Sequence, residues 1–242
     1  MKFLLYIFLL LTSNIVQANQ ILPAIILYDS GSNFSKGSLP RTDNWLELLC
    51  FKSDCKLQPI KLKFSTGKAE NVVGDFEETD EIAFQESNKS THSIAWFNNL
   101  DIKVGNVTTW YISTNTYKLS ALGTSSLNKL NKWQMNWGLK PLNISRVVTA
   151  EYRFNYHLSD GIKKQSLFSH NKYCSSNGDC DQQPIMHWMG DLDHDNLIDF
   201  IISVEDNGCY YNQKLFLSSK AKLGEFVGLA ADLSGRYAAC GC

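Results

Sequence analysis

The sequence predicts a mainly β fold: a single antiparallel, sandwich-like domain with one or two short helices. Runs of β-branched and aromatic residues recur along its 242 residues, and such runs are typical of strands. Clusters of Gly, Asn, Asp and Ser separate the runs and mark turns, as at 29–33, 159–161 and 175–179. Helical patterns do not alternate regularly with the strands, which favours antiparallel sheets over a parallel α/β arrangement.

The strand prediction depends on seven runs. Several of them alternate apolar and polar residues, for example Lys61-Leu62-Lys63-Phe64. The predicted strands are 21–28, 60–64, 93–97, 107–113, 144–157, 200–204 and 214–217.

Helical signals are confined to two segments. In 42–50, Thr42 or Asp43 can cap a short helix, and Trp45, Leu48 and Leu49 fall on one side of it. The segment 119–137 is ambiguous, because its leucines and tryptophans lie near helical spacing between strand-like flanks.

The first 18 residues resemble a secretory signal peptide. Lys2 precedes a short apolar run, and Val16-Gln17-Ala18 forms a small-residue cleavage site. The apolar run is shorter than the roughly 20 residues that a membrane-spanning helix needs. We therefore expect residues 1–18 to be removed, residues 19–242 to form one β-rich domain without a membrane span, and the protein to be secreted or periplasmic.

Seven cysteines follow the predicted cleavage point, and in an oxidising compartment they indicate disulfides. The local pairs Cys50–Cys55 and Cys174–Cys180 are the simplest choices, and Cys209 would then pair with Cys240 or Cys242. A zinc site on Cys240-Gly241-Cys242 is the alternative, although a second Cys-x-x-Cys motif is missing from the sequence.

The most informative segment is an Asp-rich loop at 190–200, directly before an apolar strand. Asp191, Asp193 and Asp195 alternate, so their side chains can turn inward together. Calcium takes six to eight oxygen ligands at about 2.3–2.6 Å. The Leu197 carbonyl and Asp199 would complete the set. The spacing therefore predicts a Ca²⁺ site, and the alternative is a solvated acidic turn.

Three further residues in and after the loop refine this prediction. Position 12 of the loop is Ile202, where an EF-hand requires Glu, so the loop is not an EF-hand. Asn196 stands where such loops usually carry glycine, and Asn tolerates a left-handed backbone well. His194 falls at an outward position, and we expect its side chain to be exposed.

The run Gly190-Asp191-Leu192-Asp193-His194-Asp195-Asn196-Leu197-Ile198-Asp199 resembles the Asp-x-Asp-x-Asp-Gly-x-x-Asp loop of FG-GAP/VCBS-type repeats. These repeats are common in secreted bacterial proteins and in integrin propellers. Residues 215–227 also resemble a Leu-Phe-Leu-Ser-Ser-x-Ala-x-x-Gly-Glu-x-Val stretch that follows such a loop in a group of bacterial secreted proteins. The resemblance implies calcium binding by Asp191, Asp193, Asp195, Leu197 and Asp199, and it implies no reaction.

Charge and motifs limit the functional classes. Removal of the leader takes Lys2, leaving 22 basic against 24 acidic residues, a near-neutral balance that argues against nucleic acid or an anionic membrane as the main partner. The acidic stretch 70–86 is a second candidate cation site, with a solvated strand face as its alternative.

No catalytic residues are recognisable by motif. We expect a monomeric, calcium-binding interaction module for a protein or carbohydrate ligand; the alternative is a secreted hydrolase whose site is assembled only in the fold.

Overall fold

The computed structural model describes residues 23–27, 34–70, 74–83, 92–113, 118–120, 132–137, 140–150, 153–171, 184–206 and 210–238. These residues contain seventeen strands: β1 Ala24–Leu27, β2 Phe34–Ser35, β3 Trp45–Phe51, β4 Asp54–Ile60, β5 Lys63–Glu70, β6 Phe76–Ala83, β7 His92–Asn98, β8 Gly105–Ser113, β9 Lys118–Ser120, β10 Lys132–Trp137, β11 Lys140–Ala150, β12 Arg153–Ser159, β13 Lys164–Asn171, β14 Ile185–Asp191, β15 Asp199–Asp206, β16 Tyr210–Leu217 and β17 Gly228–Arg236. The helical part of this described chain is one 3₁₀ turn, Ser218–Lys220.

Ten strands form one large sheet in which every described pair is antiparallel. Its order is β1-β7-β3-β4-β8-β14-β15-β16-β17, and β9 pairs with β8. The sheet curls until its two edges meet: the Asp232 amide of β17 donates to the Pro23 carbonyl beside β1 at 2.9 Å. The Leu27 amide of β1 also donates to the buried Gln213 Oε1 of β16 at 2.9 Å. The result is a barrel-like sheet.

The interior of this curled sheet is the first hydrophobic core. Ile25 of β1, Leu57 of β4, Phe97 of β7 and Ile201 of β15 are all fully buried in it. Because side chains alternate across a strand, the residues next to them point to the outer face of the sheet. Ile201 therefore faces inward, whereas its neighbours on β15 belong to a second core.

Two smaller sheets cover parts of that outer face. The four-stranded sheet β10-β11-β12-β13 packs Leu158 and its neighbours against Phe200 and Phe216, whose ring centroids lie 5.1 Å apart. The three-stranded sheet β2-β6-β5 packs against a different part of the large sheet, where Phe34 of β2 contacts Tyr211 of β16. The two rings meet edge to face with their centroids 5.1 Å apart. The predicted mainly β, antiparallel, sandwich-like fold is confirmed, and its central sheet is in addition closed like a barrel.

The helix predicted at 42–50 is wrong. Residues 45–51 form strand β3, which pairs with β4 and β7. Thr42 does not begin a helix, and its hydroxyl instead accepts a hydrogen bond from the Asn98 side chain. The β3–β7 register shifts between Leu48 and Leu49, so two consecutive apolar residues interrupt the alternation and imitate helical spacing.

Two predicted strand runs each contain parts of two strands. Residues 60–64 include the end of β4 and the start of β5, which belong to different sheets. Residues 144–157 include most of β11 and β12, paired as a hairpin. The other five predicted strands coincide with β1, β7, β8, β15 and β16 to within a few residues at each end. In the ambiguous segment 119–137, β10 is a strand, and residues 121–131 lie outside the described residues.

The predicted Cys50–Cys55 disulfide is present. The two cysteines face each other across the β3–β4 hairpin, and both are buried. Cys174, Cys180, Cys209, Cys240 and Cys242 lie outside the described residues, as does the predicted leader 1–18. In the described part of the chain, no helix has the length and apolar character to cross a bilayer.

Candidate metal site

The Asp-rich loop connects two paired strands of the large sheet. β14 ends at Asp191, β15 begins at Asp199, and the pairing of Gly190 with Asp199 fixes the base of the loop. A Cβ placed on Gly190 would lie 2.1 Å from the Thr108 carbonyl oxygen of β8, so only glycine permits this approach. The first carboxylate is thereby held at the junction of three strands.

The Asp191 carboxylate organises the turn. It accepts the Asp195 amide on one oxygen and the Asn196 amide on the other, both at 3.0 Å. Asn196 has φ +62°, which confirms that Asn supplies the left-handed conformation for which such loops use glycine, and His194 has φ +66°. The His194 side chain is exposed, as expected.

The Asp199 carboxylate holds the base of the loop from the opposite side. One oxygen accepts the amides of Leu192 at 2.6 Å and Asp193 at 3.3 Å. The other accepts the Ser218 amide at 2.8 Å and the Ser218 hydroxyl at 3.2 Å. Asp199 therefore joins its own loop to the connection between β16 and β17.

The pKa of Asp199 is strongly perturbed. Burial raises it to about 7, the Ser218 amide opposes this rise, and the negative charge of Asp193 adds to it. A buried carboxyl is harder to ionise because the charged form loses hydration, and a nearby like charge has the same effect.

Three carboxylates converge in the loop. Asp191, Asp193 and Asp195 each offer an oxygen, and these oxygens all lie within 4.8 Å of one another, in a group that could hold a metal ion. Among the described residues, Asp193 Oδ1 is buried without a hydrogen-bond partner, and Asp193 Oδ2 accepts the Ser219 amide at 3.4 Å. Within the described residues, no lysine, arginine or histidine forms an ion pair with any of the three.

The converging group contains three of the five predicted ligands. Asp199 is occupied by the hydrogen bonds at the base of the loop, and Leu197 donates its amide to Asp195 Oδ1 at 2.8 Å. As ligands, Asp199 and the Leu197 carbonyl stay predictions.

Sequence reasoning assigned no role to Ser218 and Ser219. The Ser218 hydroxyl donates to Asp195 Oδ2 at 2.6 Å, and the Ser219 amide approaches Asp193. Both residues belong to the stretch 215–227, which the sequence predicts to accompany such a loop. That co-occurrence was the available signal, because the two segments contact each other in the fold.

The acidic stretch 70–86 does not contain a comparable group in its described part. Asp80 on β6 is fully buried and pairs with Arg41 at 2.5 Å. It also accepts the Gly37 amide at 2.7 Å. The expectation of a solvated strand face is therefore wrong for Asp80, whose charge is balanced by a neighbouring guanidinium.

A cavity of about 670 Å³ opens where β3 begins and β4 ends, at the end of these strands opposite the turn that connects them. Asp43, Asp101 and the buried Trp45 line it. Both carboxylates are exposed, so this cavity lacks the desolvated acid that a glycosidase uses as a proton donor.

No protein-family model matches the chain, and no curated protein or solved structure has a significant match to it. The resemblance to FG-GAP/VCBS-type loops therefore stays a prediction that depends on the loop residues themselves.

Proposed function

We propose that the protein binds one calcium ion in the loop from Asp191 to Asp199 and acts as a secreted or periplasmic binding module. The observation that carries this proposal is the convergence of three carboxylates, one of which, Asp193, has a buried oxygen without a hydrogen-bond partner among the described residues. The Cys50–Cys55 disulfide is compatible with export to an oxidising compartment, where such bonds form and persist.

Electrostatics favours a cation in this loop. Two unit charges 4.8 Å apart repel by about 3 kcal/mol at an effective dielectric of about 20. In the described chain no cationic side chain forms an ion pair with these carboxylates, whereas a divalent ion would convert the repulsion into attraction. The amides that bind Asp191 and Asp199 hold the backbone in place but leave the negative charge of the group intact.

The ligand chemistry favours calcium over other common ions. The group is made of carboxylate oxygens, and zinc prefers the nitrogen and sulfur of His and Cys. Magnesium requires near-ideal octahedral geometry at about 2.0–2.1 Å, while calcium accepts irregular sets of six to eight oxygens. Asp199 and the Leu197 carbonyl are the proposed additional ligands, and water would complete the set.

A bound ion would fasten two connections together. Ser218 already links Asp195 and Asp199 to the start of the β16–β17 connection. Neutralising the loop would relieve the repulsion between carboxylates that these hydrogen bonds now oppose. We therefore propose that calcium stabilises this end of the barrel-like sheet.

Thermal unfolding in calcium and in chelator tests the proposal. A ligand that binds only the folded state adds about 2.7 kcal/mol at 100 times its Kd, and for a chain of this size that raises Tm by roughly 5–10 °C. Magnesium should give a much smaller rise. Identical melting curves in calcium and in EDTA, together with no calcium by elemental analysis, would mean that the loop is a solvated acidic turn.

A further inference from the structure

Three connections adjoin at one end of the molecule, and together we call them the loop end: 159–164 between β12 and β13, the metal loop 191–199, and 218–227 between β16 and β17. Ser218 joins the second to the third through Asp195. Lys163 joins the first to the third, because its Nζ lies 4.2 Å from the centroid of the Phe226 ring. Gln165 reinforces this junction by accepting the Phe226 amide at 2.8 Å.

Exposed aliphatic side chains stand at the tips of all three connections. Leu223 has a relative exposure of 107%, Ile162 of 88% and Leu197 of 48%. Single exposed aliphatic residues are common on protein surfaces, but apolar side chains grouped at one end indicate an interaction site. Ile162 is adjacent to Lys163 and Leu223 lies three residues before Phe226, so both tips are close in sequence to the contact between Lys163 and Phe226.

Two tight turns hold these tips outward. The Asp160 carboxylate accepts the amides of Ile162 at 2.9 Å and Lys163 at 2.7 Å. In the other turn the Glu225 amide donates to the Lys222 carbonyl at 2.8 Å, and Gly224 has φ +90°. Both aliphatic side chains are thus presented in advance, so binding through them would require little additional ordering.

The charged side chains of the loop end differ in exposure. Asp191 and Asp199 are buried at the base of the metal loop, Asp195 is exposed in the same loop, and Lys164, Lys220 and Lys222 are exposed beside the two tips. Four lysines and six acidic residues lie in the three connections, a formal charge of −2 that one calcium ion would bring to zero. With calcium bound, the positive charges that remain outermost would belong to lysines.

From these features we infer that the loop end docks on an anionic phospholipid surface when calcium is bound. The tips of Ile162 and Leu223 enter the acyl boundary, the exposed lysines lie at the headgroups, and headgroup phosphate oxygens take the calcium positions that the chain leaves to water. This inference rests on the proposed calcium site. The near-neutral overall charge does not oppose it, because docking depends on the exposed lysines and on the calcium ion of this end, not on its net charge.

Co-sedimentation with vesicles tests the inference. The full chain is mixed with vesicles of phosphatidylglycerol and phosphatidylcholine in equal parts, in calcium or in EDTA, and with vesicles of phosphatidylcholine alone. We expect binding only to the anionic vesicles in calcium. The double variant Ile162→Ser/Leu223→Ser should lower the partition coefficient at least about tenfold, since each buried CH₂ group contributes appreciably to membrane affinity.

Val148→Ser is the matched control. Val148 is an aliphatic side chain of 63% exposure on β11, and it pairs with Phe154 near the opposite end of β12 from Ile162. It should bind vesicles like the wild type, and both variants should keep the calcium-induced rise in Tm because neither changes a proposed ligand.

Four outcomes would overturn the inference. A protein whose Tm rises with calcium but which stays in the supernatant with anionic vesicles does not dock on lipid. Equal partitioning of the double variant and the wild type would show that the tips do not enter the membrane. Calcium-dependent self-association that the double variant abolishes, with no vesicle binding, would assign the tips to a protein contact. A Tm indifferent to calcium would remove the calcium site itself, and the docking inference with it.

Discussion

Asp193→Asn is the most informative single change, because it removes one charge while keeping the size and shape of the side chain. One oxygen of Asp193 lies within 4.8 Å of an oxygen of Asp191 and an oxygen of Asp195. Coulomb repulsion at that separation is about 3 kcal/mol per pair at an effective dielectric of about 20 and about 1 kcal/mol in water. Since Asp193 is half-buried and Asp195 is exposed, solvent screening favours the lower value.

The two states of the loop should respond in opposite directions. In EDTA, the variant should be more stable than the wild type by about 1 kcal/mol, or roughly 2–4 °C in Tm, because the repulsion is relieved. In calcium, the loss of a charged ligand should raise Kd at least about tenfold. At a calcium concentration 100 times the wild-type Kd, the calcium-dependent gain would then fall from about 2.7 to about 1.4 kcal/mol.

Scanning calorimetry of both proteins in calcium and in EDTA measures these differences. His194→Asn is the control: it changes an exposed side chain in the same loop, and Asn tolerates the φ of +66° at this position. Its calcium-dependent gain should equal that of the wild type. Equal gains in Asp193→Asn and the wild type would refute the reasoning, as would a lower stability of Asp193→Asn in EDTA.

Three further changes test the fold around the site. Replacing Cys50 and Cys55 together by Ala should lower the free energy of unfolding by about 2 kcal/mol, since the disulfide closes a short loop, and an unchanged urea midpoint would contradict this. Gly190→Ala should cost at least about 1–3 kcal/mol, because a Cβ there would lie 2.1 Å from a β8 carbonyl oxygen; wild-type stability would show that the strands do not approach so closely. Ile201→Ala in the barrel-like core should cost about 2–5 kcal/mol and Ile162→Ala on the surface less than about 0.5 kcal/mol, so similar values in chemical denaturation would show that the assigned burial is wrong.

The fold class was predictable because most strands carry a local signal. β15, for example, contains Phe200, Ile201 and Ile202, three residues that favour strands and are buried on both faces of the sheet. The division of these faces between two cores was not predictable, because it depends on which sheet covers the outer side of β15. The meeting of β1 with β17 likewise joins residues more than two hundred positions apart, and no local pattern records it.

The wrong helix at 42–50 shows how local signals can mislead. Buried Glu47 resembles a surface residue in the sequence, but its carboxylate accepts hydrogen bonds from the Ser93 hydroxyl at 2.5 Å and from the Gln58 amide at 3.1 Å. These partners are supplied by the neighbouring strands β7 and β4. Since a buried polar residue is tolerated when it is hydrogen-bonded, only the tertiary structure explains its position.

The metal loop was predictable to a greater extent. The spacing of Asp191, Asp193 and Asp195 placed three carboxylates together, and Asn196 adopts the left-handed backbone that the prediction required. The contribution of Ser218 could not be derived by spacing, because it reaches Asp195 from a connection 23 residues further along the chain. Short-range geometry therefore predicted the acidic group, whereas its support depends on how β16 returns to the loop.

A crystal structure of the protein grown in saturating calcium tests the central claim most directly. We predict a single cation in the loop, bonded at about 2.3–2.6 Å to oxygens of Asp191, Asp193 and Asp195, with Asp193 Oδ1 among the ligands. Anomalous scattering would identify the ion as calcium. A loop that holds only water under these conditions, with the three carboxylates turned apart into solvent, would contradict the account.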